Sequence, residues 1–251
     1  MKKVDRLTVT RFADRRAMGK AAADAVAAHI EQLLAKQEQV NVVFAAAPSQ
    51  NEFLEALVQH EDIAWCRIHA FHMDEYIGLS VNAPQRFGQF LDDRLFTKVP
   101  FRSVNYLNGN APDIEEECER YSALLKQHPT DVVCMGIGEN CHLAFNDPHV
   151  ANFDDPVWVK VVDLDLACRQ QQVNDGCFMG LDMVPTHALT LTIPALMAAS
   201  AVFCMVPGSN KAKAVKHTLA DEVSARYPAT ILRKHPHAIL FIDKESASLV
   251  V

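Results

Sequence analysis

Val40-Asn-Val-Val-Phe-Ala-Ala-Ala-Pro-Ser-Gln-Asn-Glu-Phe-Leu-Glu-Ala-Leu-Val-Gln-His60 carries a strand, a loop and a helix in succession. Val40 to Ala46 is a β-rich run, and Asn51 to His60 reads as helix. Upstream, Met18, Ala22, Val26, Ile30, Leu33 and Leu34 recur at helical spacing among many alanines, which predicts an amphipathic helix over Arg15 to Gln37. Downstream the alternation repeats: a strand near Ile68–Phe71, helices around Phe87–Leu95 and Ile114–Leu125, and an apolar strand at Val132–Gly136. Trp158–Val162, Ala188–Ile193, Ala201–Val206 and Ala238–Ile242 are further strand candidates, with another helix starting near Lys211. Apolar strands alternating with helices predict an α/β fold with a mostly parallel sheet covered on both faces, in a single domain over 1–251. In such sheets ligands bind beyond the carboxyl ends of the strands, so functional residues are expected in the loops that follow them.

At 251 residues, with 49% hydrophobic and 22% charged side chains, the chain can bury a substantial core and has no composition for long disordered tails. A net charge of −7 without a long Lys/Arg block argues against a nucleic-acid partner, while leaving room for a locally positive pocket and an anionic substrate. The seven cysteines (66, 118, 134, 141, 168, 177 and 204) include no Cys-x-x-Cys pair, which suggests neither a disulfide scaffold nor a zinc site and fits a reducing cytoplasm. Met1-Lys-Lys-Val-Asp-Arg6 lacks the apolar run of a signal peptide, and no stretch of about 18 apolar residues suggests a membrane helix. A cytoplasmic protein without a membrane partner is expected. Assembly into a homo-oligomer is left open.

Three polar clusters follow strands. In Phe71-His-Met-Asp-Glu-Tyr-Ile-Gly78 the adjacent carboxylates Asp74 and Glu75 repel one another, and burial of either raises its pKa toward that of a general base. Either could equally cap the next helix. In Met135-Gly-Ile-Gly-Glu-Asn-Cys-His-Leu-Ala-Phe-Asn-Asp-Pro148 the glycines permit a tight turn against a ligand, and His142 with Asp147 can form a proton-relay pair. A plain strand-to-helix turn with a structural histidine would explain the same residues more simply. The third glycine and downstream acid of a dinucleotide site are missing, so no nicotinamide cofactor is expected. His142, Cys141 and Asp147 lack the spacing of a recognised metal cluster, so no metal is expected either. In Val206-Pro-Gly-Ser-Asn-Lys-Ala-Lys-Ala-Val215 a helix start with Ser209 and Lys211 suits a phosphate, or is simply solvated.

Together these segments resemble the glucosamine-6-phosphate deaminase (isomerase) family. The likeness rests on residues 71–76 and 136–148, on Tyr-Leu-Asn-Gly-Asn-Ala-Pro-Asp (106–113), Val-Pro-Thr-His-Ala-Leu-Thr (184–190) and Gly-Ser-Asn-Lys-Ala (208–212), with their order kept. It implies a Rossmann-like three-layer α/β/α fold and a cofactor-free enzyme acting on an amino-sugar phosphate, glucosamine-6-phosphate first. It implies that Asp74 shuttles a proton between C2 and C1, that His142 opens the sugar ring with Asn140 and Asp147 assisting, and that Lys211 holds the phosphate. Ser49 and Arg169 are the further phosphate candidates.

The chain departs from the family pattern at several points. Ala46 and Ala47 replace Thr and Gly in the loop after the early strand, Cys141 replaces the Gly before His142, and Asp147 replaces the usual Glu and is shorter by one methylene. The allosteric Arg of some hexameric members is unmatched around Val157-Trp158. A related lactonase family, acting on 6-phosphogluconolactone, usually follows its His with a Thr-Ala-Ser-Leu-Phe-Pro type sequence, whereas here Leu-Ala-Phe-Asn-Asp-Pro follows. The same residues also leave room for a galactosamine-6-phosphate deaminase or isomerase and for a non-catalytic sugar-phosphate sensor.

Overall fold

The computed structural model describes residues 2–250. The chain opens with a hairpin, β1 (Lys2–Val4) and β2 (Leu7–Arg11), followed by α1 (Arg15–Leu34), β3 (Val40–Phe44) and α2 (Asn51–Leu57). Next come β4 (Ile68–His72), β5 (Asp74–Tyr76), α3 (Phe87–Leu91), β6 (Ser103–Asn105), α4 (Ile114–Gln127) and β7 (Val132–Met135). The remainder is β8 (Val159–Asp163), α5 (Leu166–Asn174), β9 (His187–Leu191), α6 (Ile193–Met197), β10 (Ala201–Val206), α7 (Ala212–Ala220) and β11 (Ala238–Ile242).

Eight strands form one sheet in the order β1-β2-β11-β10-β7-β3-β4-β6, parallel throughout except for the β1–β2 hairpin. Its central strands β7 and β10 are buried along their whole length, as their uninterrupted apolar sequences require of strands covered on both faces. Helix α1 starts cleanly because Asp14 accepts a hydrogen bond from the Ala17 N–H at 2.8 Å, and α4 starts on Asp113 in the same way. The core lies in two layers, one on each side of the sheet, reaching from Val26, Val42 and Phe44 on one face to Val43, Val133 and Leu240 on the other.

Two of the expected strands do not join this sheet. Trp158–Val162 and Ala188–Ile193 appear as β8 and β9, and with β5 they form a separate antiparallel sheet in the order β5-β9-β8. Strand β8 mixes buried positions, Val159 and Val162, with exposed ones, Val161 and Asp163, unlike the fully covered strands of the main sheet. The hairpin β1–β2 and the three-residue strands β5 and β6 are too short or too polar to register as apolar runs.

The strand order reverses between β3 and β7. From β3 the chain steps outward through β4 to β6, then returns to the other side of β3 and continues outward through β10 to β11. A crevice opens at such a switch point beyond the carboxyl ends of the strands. One wall depends on the packing of α1 on α2, where a Cβ added to Gly19 would lie 2.7 Å from the Glu52 backbone carbon. Gly19→Ala is expected to separate the helices and cost about 1–3 kcal/mol, read as a lower midpoint in urea unfolding; an unchanged midpoint would refute the close approach.

Candidate active site

The loops after β3, β4, β7 and β10 converge on one cavity, lined among others by Ser49, Asp74, Gly138, His142 and Lys211. At Asp74 the chain leaves the main sheet: Met73 separates β4 from β5, and β5 pairs with β9, Asp74 opposite Thr190. Neighbouring side chains on a strand point to opposite sides, so Asp74 and Glu75 meet different surroundings. Glu75 is fully buried and accepts hydrogen bonds from the N–H groups of Tyr76 (2.9 Å), Phe87 (3.0 Å) and Gly88 (3.0 Å), which caps α3. Asp74 lines the cavity, is 7% exposed and makes no side-chain hydrogen bond among the described residues. Burial, and then the neighbouring Glu75 charge, hold the Asp74 carboxyl well above the usual range.

The turn after β7 holds the imidazole. A Cβ on Gly138 would meet the His142 ring at 2.2 Å, so the ring lies directly over a position that only glycine can occupy. Nδ1 of His142 is 2.9 Å from Oδ1 of Asp147, within ion-pair range, although the ring N–H is not aimed along a hydrogen-bond line. The shorter Asp147 thus keeps its reach to His142. Burial would raise the Asp147 carboxyl, but the close His142 imidazole and the Asn140 amide outweigh it and hold the carboxyl below its usual value. Asn140 donates to Asp147 at 2.9 Å and to Asp165 at 3.1 Å, and its Oδ1 accepts the His142 N–H at 3.1 Å. It therefore positions the pair from behind.

Cys141 sits at φ 71°, in the left-handed region where a glycine is unstrained. Its thiol approaches the Ala214 carbonyl oxygen on α7 at 3.6 Å and, through burial, is pushed up to about 12, so it is an inert packing group. Ala46 and Ala47 need no glycine, because neither is among the positive-φ residues. With Pro48 and Ser49 they form the cavity wall after β3.

Lys211 is 5% exposed, and its ammonium makes no hydrogen bond or ion pair among the described residues. Burial lowers its pKa, opposed by the charges of Asp175 and Glu139. An ammonium so placed favours an anion in the cavity. Arg169 is not brought to the cavity wall. Its guanidinium donates to the carbonyl oxygens of Leu181 (2.7 Å) and Val184 (2.8 Å), bracing the segment after α5. Gln171, Gln172 and Asp175 line the cavity from the neighbouring face of α5 and its end, and Arg15 lines it from the start of α1. The helix that begins at Arg15 is legible in the sequence, but nothing in the pattern marks Arg15 itself as facing the cavity.

A family model for glucosamine-6-phosphate isomerases and 6-phosphogluconolactonase matches residues 13–241. The chain belongs to this family. A glucosamine-6-phosphate deaminase of Listeria monocytogenes is 34% identical over 212 residues, covering 84% of this chain and 88% of the relative. One from Bacillus cereus is 38% identical over 183 residues, covering 73% of this chain and 68% of the relative. Among solved structures, a monomeric glucosamine-6-phosphate deaminase superposes with a TM-score of 0.87 at 29% identity, covering 96% of this chain and 99% of its own. The 6-phosphogluconolactonase of Thermotoga maritima, at 22% identity and a TM-score of 0.77 over 95% of this chain and 100% of its own, shares the fold. No helix among the described residues is long and apolar enough to cross a membrane.

The two neighbouring carboxylates differ in what they do for stability. A carboxyl that holds its proton more tightly folded than unfolded favours the fold below its unfolded pKa, and that advantage is lost as pH rises through the folded value. Asp74→Asn is therefore expected to raise the urea midpoint at neutral pH, with the gain vanishing in acid. Glu75→Ala strands three buried N–H groups and is expected to lower stability by about 2–4 kcal/mol. Equal effects of the two substitutions at neutral pH would contradict this division.

Proposed function

We propose that the protein converts glucosamine-6-phosphate to fructose-6-phosphate and ammonia, with Asp74 as the proton shuttle and His142 opening the ring. The observation that carries this reading is the pair of buried side chains without hydrogen-bond partners, Asp74 and Lys211, that face the same cavity as the His142–Asp147 pair. An aldose–ketose isomerisation needs one base that removes a proton from C2 and returns it to C1, and an unpaired carboxylate with a raised pKa suits both halves.

Lys211 and the Ser49 hydroxyl bind the phosphate and fix the sugar so that its first two carbons meet Asp74. His142, with Nδ1 turned to Asp147, uses Nε2 to move a proton from the C1 hydroxyl to the ring oxygen, giving the open-chain aldehyde. Asp74 takes the C2 proton, forming an enolamine, and returns a proton to C1, which leaves an imine at C2. Water adds to that carbon and ammonia departs, leaving the ketose phosphate. Each step is proton transfer or hydrolysis and draws on groups already in the cavity.

The test is ammonia and ketose-phosphate release from glucosamine-6-phosphate, with galactosamine-6-phosphate and 6-phosphogluconolactone assayed alongside. Asp74→Asn is expected to lower kcat by about 10²–10⁴-fold while substrate still binds. Lys211→Ala is expected to raise KM by roughly 10–100-fold, the worth of a hydrogen bond to a charged group. Because the Asp74 pKa is raised, kcat/KM should fall on the acid side at a pH above the ordinary carboxylate range. Hydrolysis of the lactone with no ammonia from either amino sugar would overturn the reading.

A further inference from the structure

We propose that His142, Asp147 and Cys168 form an inhibitory site for a thiophilic divalent cation such as Zn2+. Nδ1 of His142, a carboxylate oxygen of Asp147 and Sγ of Cys168 all lie within 4.8 Å of one another, and all three residues are buried. Nδ1 is a buried nitrogen without a properly directed hydrogen bond, although Asp147 Oδ1 is 2.9 Å away. Its neighbour Asp147 belongs to the same cluster, so a metal ion would take the place of the contact between them. A nitrogen, an oxygen and a sulfur are a ligand set that zinc accepts at about 2.0–2.3 Å, leaving a fourth position open for water.

The surroundings favour a dication. Asp165 stands beside Asp147, tied to it through the Asn140 amide, and caps α5 by accepting the Cys168 N–H at 2.6 Å. That cap holds the thiol against the Asp147 carboxylate. Drawing the three ligand atoms to tetrahedral separations needs shifts of roughly 1 Å, within reach of side-chain rotation. Cys168 is 26 residues from His142 in sequence, so no motif announces it. The nearer thiol, Cys141, points at α7 and takes no part.

Binding replaces the thiol proton with the metal and commits the Nδ1 lone pair to it. The remaining ring proton then resides on Nε2, which can no longer accept the sugar hydroxyl proton. The inhibition rests on the ring-opening role proposed for His142, whereas the binding does not.

The experiment uses the chelator-treated full chain titrated with Cd2+ and Zn2+. One equivalent of Cd2+ per chain is expected to bring up thiolate-to-metal charge-transfer absorption that Cys168→Ser abolishes. In activity assays Zn2+ should inhibit the wild type reversibly by chelator, and Cys168→Ser or Cys168→Thr should require about tenfold more metal or beyond. No charge-transfer band in the wild type at saturating Cd2+ overturns the site, as does a band or inhibition constant unchanged in a folded Cys168 variant. The band needs no turnover, so it decides the metal site even if the deaminase reading fails.

Discussion

Charge held out of water at the ends of the central strands is the constraint on which the rest of this structure depends. Asp74, Lys211 and the His142–Asp147 pair are all nine-tenths buried or more, and burial works against the charged form of each carboxylate and of the ammonium. Asp147 is compensated at close range by His142 and Asn140, and Lys211 only partly, by the charges of Asp175 and Glu139. Asp74 and Lys211 stay unpaired, and the rigid parallel sheet offsets the penalty. A ligand with a phosphate at one end and an exchangeable proton at the other relieves both, which is the structural basis for preferring transition-state contacts that the fold holds in place beforehand.

The division between Asp74 and Glu75 shows how one backbone event sorts two identical functional groups. Were β5 to continue β4 in the main sheet, the carboxylates would simply alternate across it. Because β5 swings off to pair with β9, one carboxylate turns into the amide-rich start of α3 and the other into the cavity. Burial raises both carboxyls, but three amide donors oppose it at Glu75 and tie that group into the start of α3, whereas Asp74 has no such donors and is raised further by the Glu75 charge. The small antiparallel sheet therefore sets one wall of the cavity, although none of its strands belongs to the main sheet.

The larger architecture was legible because its strands are buried on both faces. Val132–Met135 and Ala201–Val206 have no polar interruption, and nothing but a covered parallel strand accommodates such a run beside glycine-rich loops. Legibility failed where the sequence pattern is shared by several structures. Val159–Asp163 reads as a strand in any sheet, and only the tertiary register assigns it to β9. At the site, Asp74, His142, Asp147 and Lys211 stand out because they follow strands, whereas Ser49 is pointed to only by the likeness to the family. Arg169 misled because an Arg near polar residues on a helix is equally suited to binding an anion and to bracing carbonyls, and here the carbonyls of Leu181 and Val184 hold it. Gln172 stays hidden because α5, which brings it to the cavity, has no clear apolar period, and Arg15 because nothing distinguishes it from the other charged residues at the start of α1.

The fold alone does not choose between the two chemistries of this family, since the deaminase and lactonase structures superpose with TM-scores of 0.87 and 0.77. The choice lies in what the cavity asks of its acid–base groups. Opening a lactone needs a water activated at one carbonyl carbon, a task for a single base such as the His142–Asp147 pair. Moving a proton between adjacent carbons needs a second base with its own face toward the substrate. That base must be free of hydrogen bonds that would fix it as an anion, and its pKa must be high enough to hold the proton between removal and return. Asp74 meets these conditions, whereas Glu75, one residue away, is also raised by burial but is held by three amide donors and lies off the cavity wall. A hydrolase with no proton to carry would gain nothing from keeping such a carboxylate unpaired at the cavity wall, where desolvation opposes its charge.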